Sequence, residues 1–186
     1  KVLFWVFLVA GALTIVGYLT VPYAKLAELT GNDLLQTMGR EFLEQPLPTK
    51  LGIVVVALGF LYNISMTVLK GRKTAISLVL LLGLWGLAIF FLFSFVNPHN
   101  LVRDKMYWWF VVHLWVEGFF EVFATAVIAL IFTSLGLIHA RTANTAIVME
   151  TTVFLFGGLL GTLHHLYFTG APTSVIALGA VFSALE

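Results

Sequence analysis

One stretch of the sequence, His113-Leu114-Trp115-Val116-Glu117-Gly118-Phe119-Phe120-Glu121, sets an imidazole and two carboxylates four residues apart in series. On a helix that spacing puts all three on one face. An imidazole one turn above a carboxylate is a natural pair of metal ligands. A second stretch, Gly161-Thr162-Leu163-His164-His165-Leu166-Tyr167-Phe168, supplies two adjacent imidazoles. Helix neighbours point about 100° apart, so both rings reach one ion most easily where the helix is ending, which the Thr169–Pro172 turn allows. Each stretch taken alone has a plainer reading: a buried hydrogen bond or ion pair at His113, a hydrated His pair at an interface. What decides between these readings is the depth at which the elements hold the residues.

The elements are set by composition. Of 186 residues, 60% are hydrophobic and only 10% charged, with mean hydropathy +1.02. Soluble domains carry roughly a quarter charged residues, so a soluble enzyme and a disordered segment are excluded. A net charge of +1 offers no handle for a nucleic acid. The absence of cysteine removes disulfides, thiolate zinc sites, iron–sulfur clusters and cysteine nucleophiles together. Lys1 is not Met and Glu186 ends within an apolar run, so the sequence is expected to be part of a longer chain.

A membrane-spanning helix takes about 20 mostly apolar residues. Runs of that kind cover 2–23, 51–69, 74–96, 105–135 and 142–168, with a sixth, 173–186, cut off at its end. They are too long for strands and lack period-two alternation. The sequence predicts an all-α, polytopic transmembrane bundle of about six spans, with 1–186 part of one transmembrane catalytic domain. The segment 24–50 holds seven charged residues, with leucines at roughly helical spacing, and is expected to lie on the membrane surface until Pro46 and Pro48 stop it. Lys70-Gly71-Arg72-Lys73 is the short loop with dense positive charge, which places it in the cytoplasm. Alternation then puts Asn97–Asp104 and Thr169–Pro172 outside.

Most charges fall in loops, yet Glu117, Glu121, Glu150 and Glu186, with His113, His164 and His165, fall inside spans. A charged group at the bilayer centre costs roughly 2.5–3.5 kcal/mol on insertion scales, so such groups mark function and face the bundle interior. Glu150, nearer the cytoplasmic loop, also fits simple contact with water or a basic partner. His113 lies about eight residues inside Lys105, roughly 12 Å deep, and Glu117 about one turn further. His164 and His165 adjoin the next outer turn, and Glu186 enters from that turn to roughly 20 Å. Three imidazoles and three carboxylates therefore converge between the outer face and the middle of one bundle. That pattern is a metal site with carboxylates behind it. Three neutral imidazoles suit copper, zinc or iron, and the hard oxygen of Glu117 tilts the choice toward non-haem iron.

The three motifs, HLWVEGFFE (His113–Glu121), GTLHHLYF (Gly161–Phe168) and FSALE (Phe182–Glu186), in that order and spacing, closely resemble the catalytic subunit of bacterial nitric oxide reductases of the haem-copper oxidase superfamily. The run Leu135–Glu186 looks more like the quinol-dependent single-chain form than the cytochrome-c-dependent one. The resemblance implies that His113, His164, His165 and Glu117 hold the non-haem iron called FeB. It ties Glu121 and Glu186 to proton delivery and to the electrostatics of the site. It implies a haem b and a haem b3, whose histidine ligands are expected outside residues 1–186, and often a calcium bridging haem propionates. The implied reaction reduces two NO to N2O and water, in the bacterial inner membrane, with the metal site toward the periplasm. Implied partners are NO, quinol (or cytochrome c), membrane lipid and a second copy in a homodimer. In many oxygen-reducing relatives a tyrosine follows the first histidine by four residues and copper fills the site; Glu117 stands at that position here. An oxygen-reducing terminal oxidase is thus the first alternative. An ion transporter using a buried His/Glu relay is the second.

Overall fold

At Thr74 a basic loop gives way to an apolar helix through two reciprocal hydrogen bonds. The Thr74 hydroxyl accepts from the Ser77 backbone N–H at 3.2 Å, and the Ser77 hydroxyl accepts from the Thr74 N–H at 2.9 Å. This capping box satisfies two of the donors that every helix start leaves open. The computed structural model describes all residues except 21, 23, 24, 26–46, 97 and 186. In chain order the helices are α1 (Val2–Thr20), α2 (Leu47–Lys70), α3 (Ala75–Phe93) and α4 (Leu101–His113). A π-helical segment, Leu114–Phe120, then joins α4 to α5 (Glu121–Ser134) without a break. α6 (Ala140–Gly161) tightens into a 3₁₀ segment, Thr162–Leu166, and α7 (Thr173–Ser183) follows.

No strand occurs among the described residues. Among the described residues, four stretches are long and apolar enough to cross a membrane: Leu51–Lys70, Ala75–Phe93, Leu101–Ser134 and Ala140–Leu166. Helices suit that environment because they satisfy their backbone groups internally, where lipid cannot. The chain is an all-helical integral membrane protein.

Two expectations change in detail. α2 begins at Leu47, so residues 47–50 of the segment read as lying on the surface are helical, with Pro48 inside the first turn. Proline is tolerated there because the first-turn N–H groups have no intrahelical partner. Of the rest of that segment, 24 and 26–46 lie outside the described residues. The fourth span begins at Leu101 rather than near Lys105, because Asn100 caps it by accepting from the Arg103 N–H at 3.1 Å. Arg103, Asp104 and Lys105 are therefore first-turn residues of a helical stretch of 34 residues.

The chain divides into two units, 1–64 and 65–186. In the first, the Leu3 side chain lies over Gly59 and the Phe7 ring meets Phe60 edge-on. The second carries every titratable residue of the predicted site that the structure describes. Its core joins α3, α5 and α6 through Ile76, Val79, Val122, Ala126, Ala129, Ala143 and Ile147. Three alanines in that set let the helix backbones approach, which is how helices associate where lipid removes any hydrophobic drive between them. α5 ends at a Schellman turn: Gly136 takes φ 71°, its N–H bonds to Thr133 and the Leu137 N–H to Phe132.

α3 and α5 approach backbone to backbone at Gly83 on α3, where a Cβ would stand 2.8 Å from the Phe123 nitrogen. At Gly86 the Phe119 ring occupies the place a side chain would take. α3 thus clamps the π segment and the start of α5. Gly83→Ala should lower the thermal midpoint of the detergent-solubilised protein, by overpacking worth about 1–3 kcal/mol. Gly11→Ala, with nothing within 4 Å of its added methyl, should leave the midpoint unchanged in the same melting assay.

Candidate metal centre

His113 closes α4 and its side chain is fully buried, at 1% exposure. The π-helical residues Leu114–Phe120 follow at once, with Glu117 at their centre. A π turn closes i→i+5 bonds and often marks a functional position. Here it keeps Glu117 against His113, whose Nδ1 contacts Glu117 Oε2. Past it, Glu121 begins α5 and lines a cavity of about 440 Å³ together with Glu117, Ala124, Thr125, Phe154 and Ser183. The expected single face of three residues is thus divided: His113 and Glu117 meet the histidine pair, and Glu117 and Glu121 share the cavity.

The histidine pair arrives from the opposite wall. α6 changes pitch at Gly161, where the Thr162 hydroxyl donates back to the Gly158 carbonyl at 3.0 Å. The 3₁₀ segment carries His164 and His165 with ring centroids 4.0 Å apart. Gly179 of α7 presses on this segment so closely that an added Cβ would overlap the His164 and Leu163 backbone. His165 Nε2 lies 3.1 Å from His113 Nδ1 and 3.2 Å from Glu117 Oε2. One ligand atom from each of His113, Glu117, His164 and His165 falls within 4.8 Å of all the others.

Hydrogen bonds alone cannot settle this arrangement. If both imidazoles donate to Glu117, two N–H groups confront each other across the 3.1 Å nitrogen–nitrogen contact. If one imidazole turns its lone pair inward, that lone pair faces the carboxylate. A cation placed among these atoms receives a lone pair from each and removes the conflict. Three nitrogens and one oxygen form a donor set suited to a first-row transition metal. The residues fit a metal.

Trp109 carries a signal that sequence alone favours reading as packing. Its ring stacks on His165 with centroids 4.1 Å apart and planes 4° from parallel. Trp108 stacks behind it at 4.8 Å, and Lys105 Nζ sits 3.9 Å from the Trp108 ring centre. The position four residues before His113, one helical turn away on the same face, could have drawn attention to it. Glu186 lies outside the described residues; Ser183, three residues earlier, reaches the cavity. Glu150, on α6, does not join the four ligand atoms.

Comparison with known proteins shows the family. Residues 1–186 match the family described as Cytochrome C and Quinol oxidase polypeptide I. The chain is also 58% identical over 185 residues to a nitric oxide reductase subunit of Stutzerimonas stutzeri. That alignment takes in 100% of this chain and 39% of the relative, so the chain spans about two fifths of that protein's length.

Groups that hold a ligand ring in place typically alter metal affinity 10–100-fold when removed. Trp109→Leu should therefore lower bound metal at limiting supply by about tenfold or more. Trp109→Phe, which keeps a ring over His165, should retain it; metal content per chain in the purified full-length protein is the measurement.

Proposed function

We propose that this chain, which belongs to the Cytochrome C and Quinol oxidase polypeptide I family, carries the FeB site of a nitric oxide reductase. It is an oxidoreductase of the membrane, with a metal-binding site built from histidine and glutamate. The observation that carries the proposal is the contact of Glu117 with both His113 and His165. A carboxylate in the ligand set favours iron over copper, because a hard oxygen donor is ill matched to the soft cuprous ion. Resemblance of the motifs to nitric oxide reductases, and the similarity to a relative named for that activity, support the same reading.

In this reading two NO, two electrons and two protons give one N2O and one water. An iron held by His113, Glu117, His164 and His165 would, when bound, supply redox chemistry and a place at which NO could be held. His113, His164 and His165 act as neutral imidazoles that point their lone pairs inward. Glu117 contributes a negative charge that offsets part of the metal's. Trp109 fixes the plane of His165, and buried Val111, Val112 and Leu114 beside His113 exclude water. Holding the reacting molecules together converts an encounter into a unimolecular step. Protons must come from groups that survive in an apolar wall. We assign that task to the Glu121 carboxyl, at the cavity beside Glu117, and to Glu186 beyond Ser183.

Quinol is the proposed donor, on the resemblance of Leu135–Glu186 to the quinol-dependent form, with cytochrome c the alternative. We place the Lys70–Lys73 loop in the cytoplasm, by its positive charge, and the metal toward the periplasm of the inner membrane. Haem b, haem b3 and a calcium are the further cofactors this reading expects.

Glu117→Ala in the full-length enzyme should lose the extra iron and abolish NO consumption while leaving the haem spectrum in place. Metal analysis beside an optical spectrum checks it: two b-type haems and one further iron per chain, without copper, are expected for the wild type. Full iron with normal turnover in Glu117→Ala would refute the role of Glu117. Assaying the same preparation with reduced quinol and then with reduced cytochrome c separates the two donors.

A further inference from the structure

Glu150 is the remaining carboxylate within a span, and the site described above makes no use of it. It sits ten residues into α6, about 15 Å along the helix from its start at Ala140. Thr125 on α5 lies nine residues before Ser134, about 14 Å from the same connecting loop. The two therefore stand at one level on neighbouring helices. Both Glu150 carboxylate oxygens are sealed from solvent and make no hydrogen bond, and Thr125 of the neighbouring helix is the hydroxyl residue at their level. Thr125 also lines the 440 Å³ cavity whose other acidic walls are Glu121 and Glu117.

These positions form a ladder. Glu117, Glu121 and Thr125 follow one another at steps of four residues along one continuous helical stretch, and all three line the cavity. Glu150 extends the ladder sideways from its lowest rung, on the side of the 135–139 loop. A carboxylate whose oxygens are shielded from water and left without a hydrogen-bond partner is costly, and an aliphatic residue of similar volume would avoid that cost. A group that carries a proton and can release it gives the position a use. The cavity, walled by Glu117, Glu121 and Thr125, has room for water that can bridge polar groups.

We propose that Glu150 is a proton-carrying residue that reloads Glu121. Its carboxylic acid O–H gives its proton through the Thr125 hydroxyl, which accepts one proton and releases its own toward the cavity. The proton arrives on the Glu121 carboxylate, vacated when Glu121 has protonated the reacting oxygen. Glu150 is then left as carboxylate and is reprotonated from the water at the 135–139 loop. No electron moves in this step, and the two protons of each turnover are accounted for by two passes. This rests on the reading of the site as a proton-consuming reductase.

The test uses the full-length holoenzyme and two independent readouts. In reduced-minus-oxidised infrared difference spectra, Glu150→Gln should remove a protonated-carboxyl C=O band, and Glu150→Asp should shift it. NO consumption should fall about tenfold or more in Glu150→Gln and largely return in Glu150→Asp, within the range general acid–base groups contribute. Haem and iron content should stay at wild-type levels in both. Should the glutamine variant fail to fold, Thr125→Val leaves the carboxyl in place, and it should shift the same band and slow turnover. A carboxyl band unchanged by the variants, or turnover within about twofold of wild type in Glu150→Gln, overturns the proposal. Absence of NO consumption in the wild type, with the infrared band still lost in Glu150→Gln, instead removes the reductase reading and leaves the proton-carrying role standing.

Discussion

The structure depends on a conflict among polar atoms. His113, His165 and Glu117 bring two ring nitrogens and a carboxylate oxygen together, the nitrogens 3.1 Å apart and His165 Nε2 3.2 Å from the carboxylate, in a part of the chain where lipid offers no hydrogen bonds. Such a cluster is unfavourable unless something positive lies among its atoms. The rest of the second unit reads as the means of keeping these groups together. Apolar helices set the depth, small residues let them approach, and two departures from α-helical pitch aim the ligands.

Both departures occur where regular geometry falls short. A straight α-helix carries His113, Glu117 and Glu121 along one stripe, and all three compete for the same wall. The π segment at Leu114–Phe120 holds Glu117 at the histidines and lets Glu121 open onto the cavity. On the other wall, the 3₁₀ segment brings two successive imidazoles to one place. Neither distortion stands unsupported. Gly86 receives the Phe119 ring, and Gly179 admits the backbone of the histidine segment. The glycines of α3 and α7 are thus as much a condition of the site as its ligands, although none of them carries a polar side chain.

A layered arrangement follows along the helix axes. Stacked aromatic rings, Trp108 on Trp109 on His165, lie toward the Asn100 end of the ligand cluster. Below it come the cavity with Glu121, then Thr125 and Glu150 near mid-span. Apolar side chains separate these levels from lipid, so each polar group has few partners. Scarcity of charge makes the remaining charges informative: a lysine or arginine marks an end of a span, whereas a glutamate within one needs a chemical reason.

The sequence by itself determined the fold class, because runs of about 20 apolar residues admit few backbone solutions in lipid. It also determined which residues could bind a metal, since His113, Glu117, His164 and His165 are rare types at depths set by simple rise per residue. What it could not determine was how two ends of separate helices come to share one point. The pitch changes at Leu114 and Thr162 depend on packing against α3 and α7, that is, on residues distant in the chain. For the same reason Trp109 reads in sequence as a packing residue and Glu150 as a loop-proximal charge. A stacked ring and a facing hydroxyl are relations between helices, and local periodicity records only the face of its own. The start of the fourth span at Asn100 and of α2 at Leu47 were local matters of capping and of proline placement, which hydropathy alone does not register.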